Sequence, residues 1–292
     1  MISKVGPLSL ELHTEHEGSL AADAVVTALS YGRRTVLGRG SVVMAESSIE
    51  WTEVTWNPTT GCDRVSPGCD NCYALTLAKR LKAMGQAKYQ NDGDERTSGP
   101  GFALTLHPDT LEDPLRWKKP RVVFVNSMSD LFHPEVPDSF IAQVLEIMRR
   151  TPQHTYQVLT KRAKRLSASA DRFDWPDNLW LGVSVETQRY AFRLDHLRRV
   201  PVAVRFVSAE PLLGALDLDL HGIDWLIAGG ESGPQARPVE AAWVESLRDA
   251  CLETDTAFFF KQWGGRTPKA GGRTLSGQLW DQMPTPRELS PS

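Results

Sequence analysis

Eight short apolar, β-branched runs, each ending in polar residues and separated by helical stretches, commit this chain to repeated βα units. The runs are EVTWN, FALTLH, RVVFVN, TYQVLT, LWLGVSV, VRFVSA, IDWLIAG and AFFFKQW. Between several of them lie amphipathic segments such as SFIAQVLEIMRR and AAWVESLRDACLE. Their number and spacing predict an α/β fold, a (β/α)8 TIM-type barrel. The first run and the helix-poor PLLGALDLDLHG are its weakest joints, which leaves a partial (β/α)6 barrel as the alternative. Residues 1–46 hold no sustained period and are expected to form a loosely ordered N-terminal extension, with Met44 as a candidate true start. Residues 47–283 then form a single barrel domain and 284–292 a tail.

A barrel places its working groups at the C-terminal ends of its strands. Polar residues collect at those ends here: Asn126, Ser127 and Asp130 after the third run, Thr160 to Arg162 after the fourth, and Ser184 with Glu186 after the fifth. Glu210 follows the sixth run, Glu231 the seventh, and Lys261 with Gln262 the eighth. Any strand can end in polar residues because loops meet water, so the signal lies in the agreement between strands. Glu186, Glu210 and Glu231 converging on one mouth would repel one another unless a cation or a ligand amine sat among them.

The chain has 292 residues, 41% of them hydrophobic, enough for a sizeable core. Its net charge of -3 argues against a wholesale electrostatic grip on nucleic acid, so any polyanion site must be local. No apolar run is long enough to span a bilayer and no basic-then-apolar leader opens the chain, so a cytoplasmic protein is expected. Four cysteines are too few for a disulfide scaffold, and three of them lie between positions 62 and 72, which reads as ligation.

That segment is GCDRVSPGCDNCYA, residues 61–74, with six residues between Cys62 and Cys69 and two between Cys69 and Cys72. Pro67 and Gly68 turn the loop back, Gly61 and Gly68 permit close backbone approach, and a helix starting near Cys72 adds a positive N-terminal dipole. Three thiolates can hold a cubane iron–sulfur cluster whose remaining iron stays open for chemistry. A structural zinc site would need a fourth ligand, for which His107 and His133 are candidates. Cys251 shares a helical stripe with Val244 and Leu247 and reads as core.

The runs RWKKPR (116–121), KRAKR (161–165) and RLDHLRR (193–199) are either solvated helix faces or a path for nucleic acid, with Trp117, Trp263 and Trp280 as stacking surfaces. Lys161 and Arg162 stand at a strand end and are the preferred anion contacts. GGESGPQARP lacks the Walker lysine and the dinucleotide glycine spacing, and there is no GxSxG elbow, so nucleotide hydrolysis and serine nucleophile chemistry are set aside.

A three-cysteine loop after the first strand of a βα barrel resembles the radical S-adenosylmethionine superfamily. More closely, GCDRVSPGCDNCYA together with IEWTEVTWNP, SMSDLFH, VLTKR, GVSVE, AEPLLG, AGGESG and FFFKQWGG is similar to a phage-associated protein family found widely in bacteria, over most of residues 48–283. The superfamily resemblance implies a [4Fe–4S] cluster on Cys62, Cys69 and Cys72, S-adenosylmethionine bound at the open iron, an electron donor, and a 5′-deoxyadenosyl radical. The loop departs from the superfamily spacing, with six residues where three are usual and Asn71 in place of an aromatic residue. Under this reading Glu186, Glu210 and Lys261 are candidate catalytic residues, and Asn126, Ser184, Glu231 and Tyr73 candidate cofactor contacts. Lys161, Arg162 and Asp130 are candidate contacts for a substrate or anion, with nucleic acid or a nucleotide as the candidate substrate. The reading from a different class is a non-catalytic module in which a zinc site, made of the three cysteines and one further ligand, braces a surface for nucleic acid or protein.

Overall fold

Seven of the eight runs form one curled, mostly parallel sheet in the computed structural model, which describes residues 45–47, 49–267 and 270–287. The strands are β1 (Ala45–Glu46), β2 (Val54–Trp56), β3 (Thr59–Thr60), β4 (Thr105–Leu106), β5 (Val122–Val125), β6 (Thr155–Thr160), β7 (Leu179–Ser184), β8 (Val204–Ala209), β9 (Trp225–Gly229), β10 (Ala257–Gln262), β11 (Thr274–Leu275) and β12 (Gln278–Leu279). The α-helices are α1 (Tyr73–Ala83), α2 (Asp138–Arg149), α3 (Ala163–Ala168), α4 (Arg193–Leu197) and α5 (Ala241–Glu253). The main sheet runs β1-β2-β5-β6-β7-β8-β9-β10, parallel throughout except for the antiparallel β1. The expected N-terminal extension and Met44 lie outside the described residues apart from Ala45–Glu46.

The run FALTLH departs from expectation. β2 pairs directly with β5, and Thr105–Leu106 instead forms a two-stranded antiparallel ribbon with Thr59–Thr60. Both residues of β4 are only partly buried, whereas a strand inside a parallel sheet must lose water from both faces. The sheet therefore stays open at β10, whose edge is covered by the segment 280–282: Phe260 N–H donates to the Trp280 carbonyl at 2.9 Å, and Gln282 N–H to that of Phe258 at 3.1 Å. Part of the expected tail is also fixed, because the Arg287 guanidinium bonds to both oxygens of Asp224 at 2.8 and 2.7 Å.

Alternation along each strand sorts the side chains into two cores. On the outer face Val123, Val125, Val158, Leu181, Val207 and Leu226 pack with the helices. α5 contributes Val244, Leu247 and Cys251, as its helical stripe predicts. The connection after β8 has no α-helix, and Leu212, Leu216, Leu218 and Leu220 fill its place against that core. On the inner face Phe124, Trp180, Phe206, Ile227 and Phe259 surround Trp225, whose ring lies 5.6 Å from that of Phe206 and 6.0 Å from those of Trp180 and Phe259. Gly182 leaves room for this cluster, since a Cβ there would stand 2.4 Å from the Phe206 ring. Further along the same strands, in steps of two residues, the same parity delivers polar groups: Asn126, Lys161, Ser184, Glu186, Ser208, Glu210 and Lys261. The aromatic plug thus excludes water from one end of the concavity and leaves the C-terminal end for chemistry.

The β3–β4 ribbon carries a pH-sensitive contact. His107 is buried, and its Nε2 shares a hydrogen bond with the Thr60 hydroxyl at 2.8 Å. Burial, joined by the charge of Lys88, lowers its pKa to about 4. The unfolded chain takes up this proton near pH ~6.5, so the stability His107 contributes is complete above that pH and is lost as pH falls toward 4. Thermal unfolding temperature is expected to fall across that window, and less steeply in His107→Gln; parallel curves for the two proteins would refute the assignment. Among the described residues no helix is long and apolar enough to cross a membrane.

Candidate metal centre

The cysteine loop leaves β3 through Gly61, whose φ of 87° and close approach to the chain exclude any side chain: a Cβ would stand 2.1 Å from the Ala103 carbonyl oxygen. Gly61 N–H donates to the Met128 carbonyl at 2.9 Å, tying the loop to the segment after β5. Two consecutive turns follow, Cys69 N–H to Ser66 carbonyl at 2.9 Å and Cys72 N–H to Cys69 carbonyl at 3.3 Å, and α1 starts at Tyr73. The expected helix N-terminus therefore stands directly behind Cys72.

The three thiols share one environment. Burial pushes the Cys62 thiol up to about 12, Asp130, Cys69 and Cys72 add to the rise, and Arg162 opposes it with Nη1 3.6 Å from the sulfur. Burial also raises Cys72, against the pull of the Ala74 and Leu75 amides in the first turn of α1. Among the described residues no three Cys, His, Asp or Glu side chains are already drawn into a metal-holding arrangement. The donor set nevertheless fits a cationic centre: three sulfurs lie on one loop, and Cys62 and Cys72, which resist ionisation alone, become thiolates when a metal supplies the compensating charge.

Both candidate fourth ligands make hydrogen bonds within the chain. His133 has both ring nitrogens engaged, Nε2 with Asp63 Oδ2 at 2.9 Å and Nδ1 with the Glu135 N–H at 3.3 Å, while His107 Nε2 is held by Thr60. Cys251 is wholly enclosed in the outer core.

The carboxylates expected to crowd the mouth are each neutralised from within the chain: the cations among them are its own lysines and arginines. Glu186 is fully buried beneath the loop, accepts from Ser66 Oγ at 2.7 Å and Arg193 Nη1 at 3.0 Å, and pairs with Lys161. Burial raises its pKa, but Lys161 and Arg193 outweigh that and hold it below the ordinary glutamate value. Gly68 makes this possible, since a Cβ at that position would lie 2.5 Å from Glu186 Cγ. Glu210 pairs with Lys261 at 2.8 Å and accepts from Ser208 Oγ at 3.1 Å, partly open to solvent. Glu231 accepts from Asn71 Nδ2 at 2.9 Å and from Arg237 Nη2 at 2.6 Å; burial raises its pKa and these partners pull it down further. Arg237 also donates to the Pro67 carbonyl at 2.9 Å, so the 231–237 turn clamps the cysteine loop from outside.

The remaining predicted residues surround the same loop. Asp130 accepts from Thr160 Oγ1 at 2.7 Å and Lys161 N–H at 3.0 Å and pairs with Arg162 at 3.4 Å. Ser184 gives its carbonyl to Arg193 at 2.7 Å. The exposed Tyr73 donates its hydroxyl to the Ser127 carbonyl at 2.5 Å. Asn126 is held at φ 61°, buried, with Nδ2 lacking any partner among the described residues. The tryptophans, by contrast, are no stacking surfaces: Trp117 lies in the outer core, Trp263 is bonded through Nε1 to the Thr274 carbonyl, and Trp280 packs under Arg248. Sequence reasoning missed Ser66, Asn71, Arg193 and Arg237 as partners of the site. Only Arg193 carried a signal, an arginine seven residues after a strand-end glutamate, and it reads equally as a solvated helix face.

Residues 46–284 match the family described as "Protein of unknown function (DUF5131)". Comparison with curated proteins gives no match. Among solved structures the chain is similar to spore photoproduct lyase complexed with dinucleoside spore photoproduct, at 11% identity and TM-score 0.47, covering 76% of this chain and 80% of that chain. It is also similar to a mutant of that lyase with bound AdoMet and dinucleoside spore photoproduct, at 12% identity and TM-score 0.42, covering 76% of this chain and 59% of that chain.

Proposed function

We propose, for a chain that belongs to the DUF5131 family of proteins of unknown function, an iron–sulfur enzyme of the radical S-adenosylmethionine type, built on a single domain of residues 47–283. The observation that carries it is three neighbouring thiols on one loop, Cys62, Cys69 and Cys72, with His107 and His133 both committed elsewhere. When bound by three thiolates, a [4Fe–4S] cluster keeps one iron open and supplies, with S-adenosylmethionine and one electron, reductive cleavage to a 5′-deoxyadenosyl radical.

The chain's own residues prepare that site. Arg162 and the first-turn amides of α1 set positive potential against Cys62 and Cys72, which favours their thiolate forms. Glu186 fixes Lys161 and Arg193 under the loop, and Glu231 with Arg237 and Asn71 fixes its outer side. Asn126 keeps a buried amide N–H without a partner among the described residues, a donor that a bound cofactor would complete. The Glu210–Lys261 pair, at the open end of the concavity, is the proton-handling candidate.

Anaerobic reconstitution is expected to give a brown protein with about four irons per chain and broad absorption near ~400 nm. With dithionite as electron donor it is expected to release 5′-deoxyadenosine from S-adenosylmethionine. A colourless protein with one zinc per chain would replace this reading with the zinc-braced module.

A further inference from the structure

We infer that the cavity beside the cysteine loop is a nucleotide site, taking an aromatic base and its phosphate as the substrate unit. It has a volume of about 330 Å³ and is lined by Val65 of the loop, Phe132, the stretch 161–165, Tyr190, Phe192 and Arg193. That volume lies at the lower end for small-ligand pockets, which suits about one nucleotide.

Its charge is in excess on the positive side. Lys161 and Arg193 share the single carboxylate of Glu186, Arg165 and Arg172 share that of Asp138, and Arg162 has Asp130. Lys164 has no carboxylate within ion-pair distance among the described residues; its Nζ stands 5.9 Å from the centre of the Phe192 ring. The buried Arg193 retains an Nε–H without a partner among the described residues. Phosphate oxygens are the ligand atoms that an unspent ammonium donor such as Lys164 binds best.

Its other half is apolar. Phe192 is 42% exposed and Val65 41%, and the Tyr190 and Phe192 rings are 6.4 Å apart. An exposed phenylalanine beside such a lysine gives a nucleobase a stacking face with its phosphate partner alongside. Because Val65 and Arg162 belong both to the cavity and to the immediate surroundings of Cys62, a nucleotide held there lies next to the candidate cluster. Its role as substrate rests on the reading of that loop as the reaction centre.

The test is fluorescence anisotropy of a short fluorescein-labelled oligothymidylate with the reconstituted protein, competed by thymidine 5′-monophosphate, thymidine and inorganic phosphate. The strand is expected to bind, with affinity falling as salt rises. The monophosphate is expected to compete far better than thymidine or phosphate if the source is free nucleotide, and all three to fail if it is a polymer. Lys164→Glu and Phe192→Ala should each weaken binding about tenfold, with iron content and 5′-deoxyadenosine release unchanged. No strand binding, or binding by either variant as tight as the parent's, overturns the site. Binding that persists without S-adenosylmethionine cleavage overturns the enzymatic reading and keeps the nucleotide site.

Discussion

Replacing Cys62, Cys69 or Cys72 singly with Ala is expected to take bound iron from about four per chain to near zero and to abolish the absorption near ~400 nm. Neither neighbouring histidine is placed to substitute, because His133 is spent on Asp63 and the Glu135 amide and His107 on Thr60. Wherever Cys62 or Cys72 is left behind, it keeps the burial that opposes its ionisation while losing the centre that compensates it. Cys251→Ala supplies the control: that side chain sits in the outer core with Val244 and Leu247, so its loss should cost about 1 kcal/mol of stability and no iron. Iron retained by any single variant of the three, or lost from Cys251→Ala, would overturn the ligand assignment.

The second large effect is expected at Glu186. Glu186→Ala leaves Arg193, nearly without solvent, and Lys161 without their shared carboxylate, and it removes the anchor of Ser66. Breaking a buried pair in this way costs about 3–5 kcal/mol, enough to lower the unfolding temperature of a domain this size by roughly 10 °C. Glu186→Gln keeps an acceptor for Ser66 and most of the packing and should lose less. Because the native carboxylate is held below its ordinary pKa, its contribution is present above the unfolded-state value near ~4.3 and disappears as pH falls. The difference between parent and Glu186→Gln should therefore shrink in acid. A Glu186→Ala protein that melts within a degree or two of the parent would show that the network under the loop contributes little.

Strands and helices with strong local periodicity were legible in the chain. α5 spans Ala241–Glu253, the very residues of AAWVESLRDACLE, and its buried stripe placed Cys251 in the core. FALTLH misled because a short apolar run looks alike in a sheet and in a surface ribbon, and only its unpaired neighbours separate the two. The site was legible as a set of strand-end residues, since one parity carries Asn126, Ser184, Glu186 and Lys261 to the same concave face. The anchoring of the cysteine loop was not, because it joins positions far apart in the chain: Ser66 to Glu186 across 120 residues, and Arg237 to Pro67 across 170. Arg193, read as part of a solvated face or a nucleic-acid path, is an internal counter-ion of Glu186 seven residues before it.

Those long spans also dictate an order of assembly. The cysteines emerge early from the ribosome, yet the seat beneath them is furnished by Glu186 and the strap over them by the 231–237 turn. A nascent chain that has delivered its three loop cysteines still lacks both floor and latch until most of the sheet exists. If the proposed metal centre forms on this loop, its surroundings are complete only once residues 186 and 231–237 are in place.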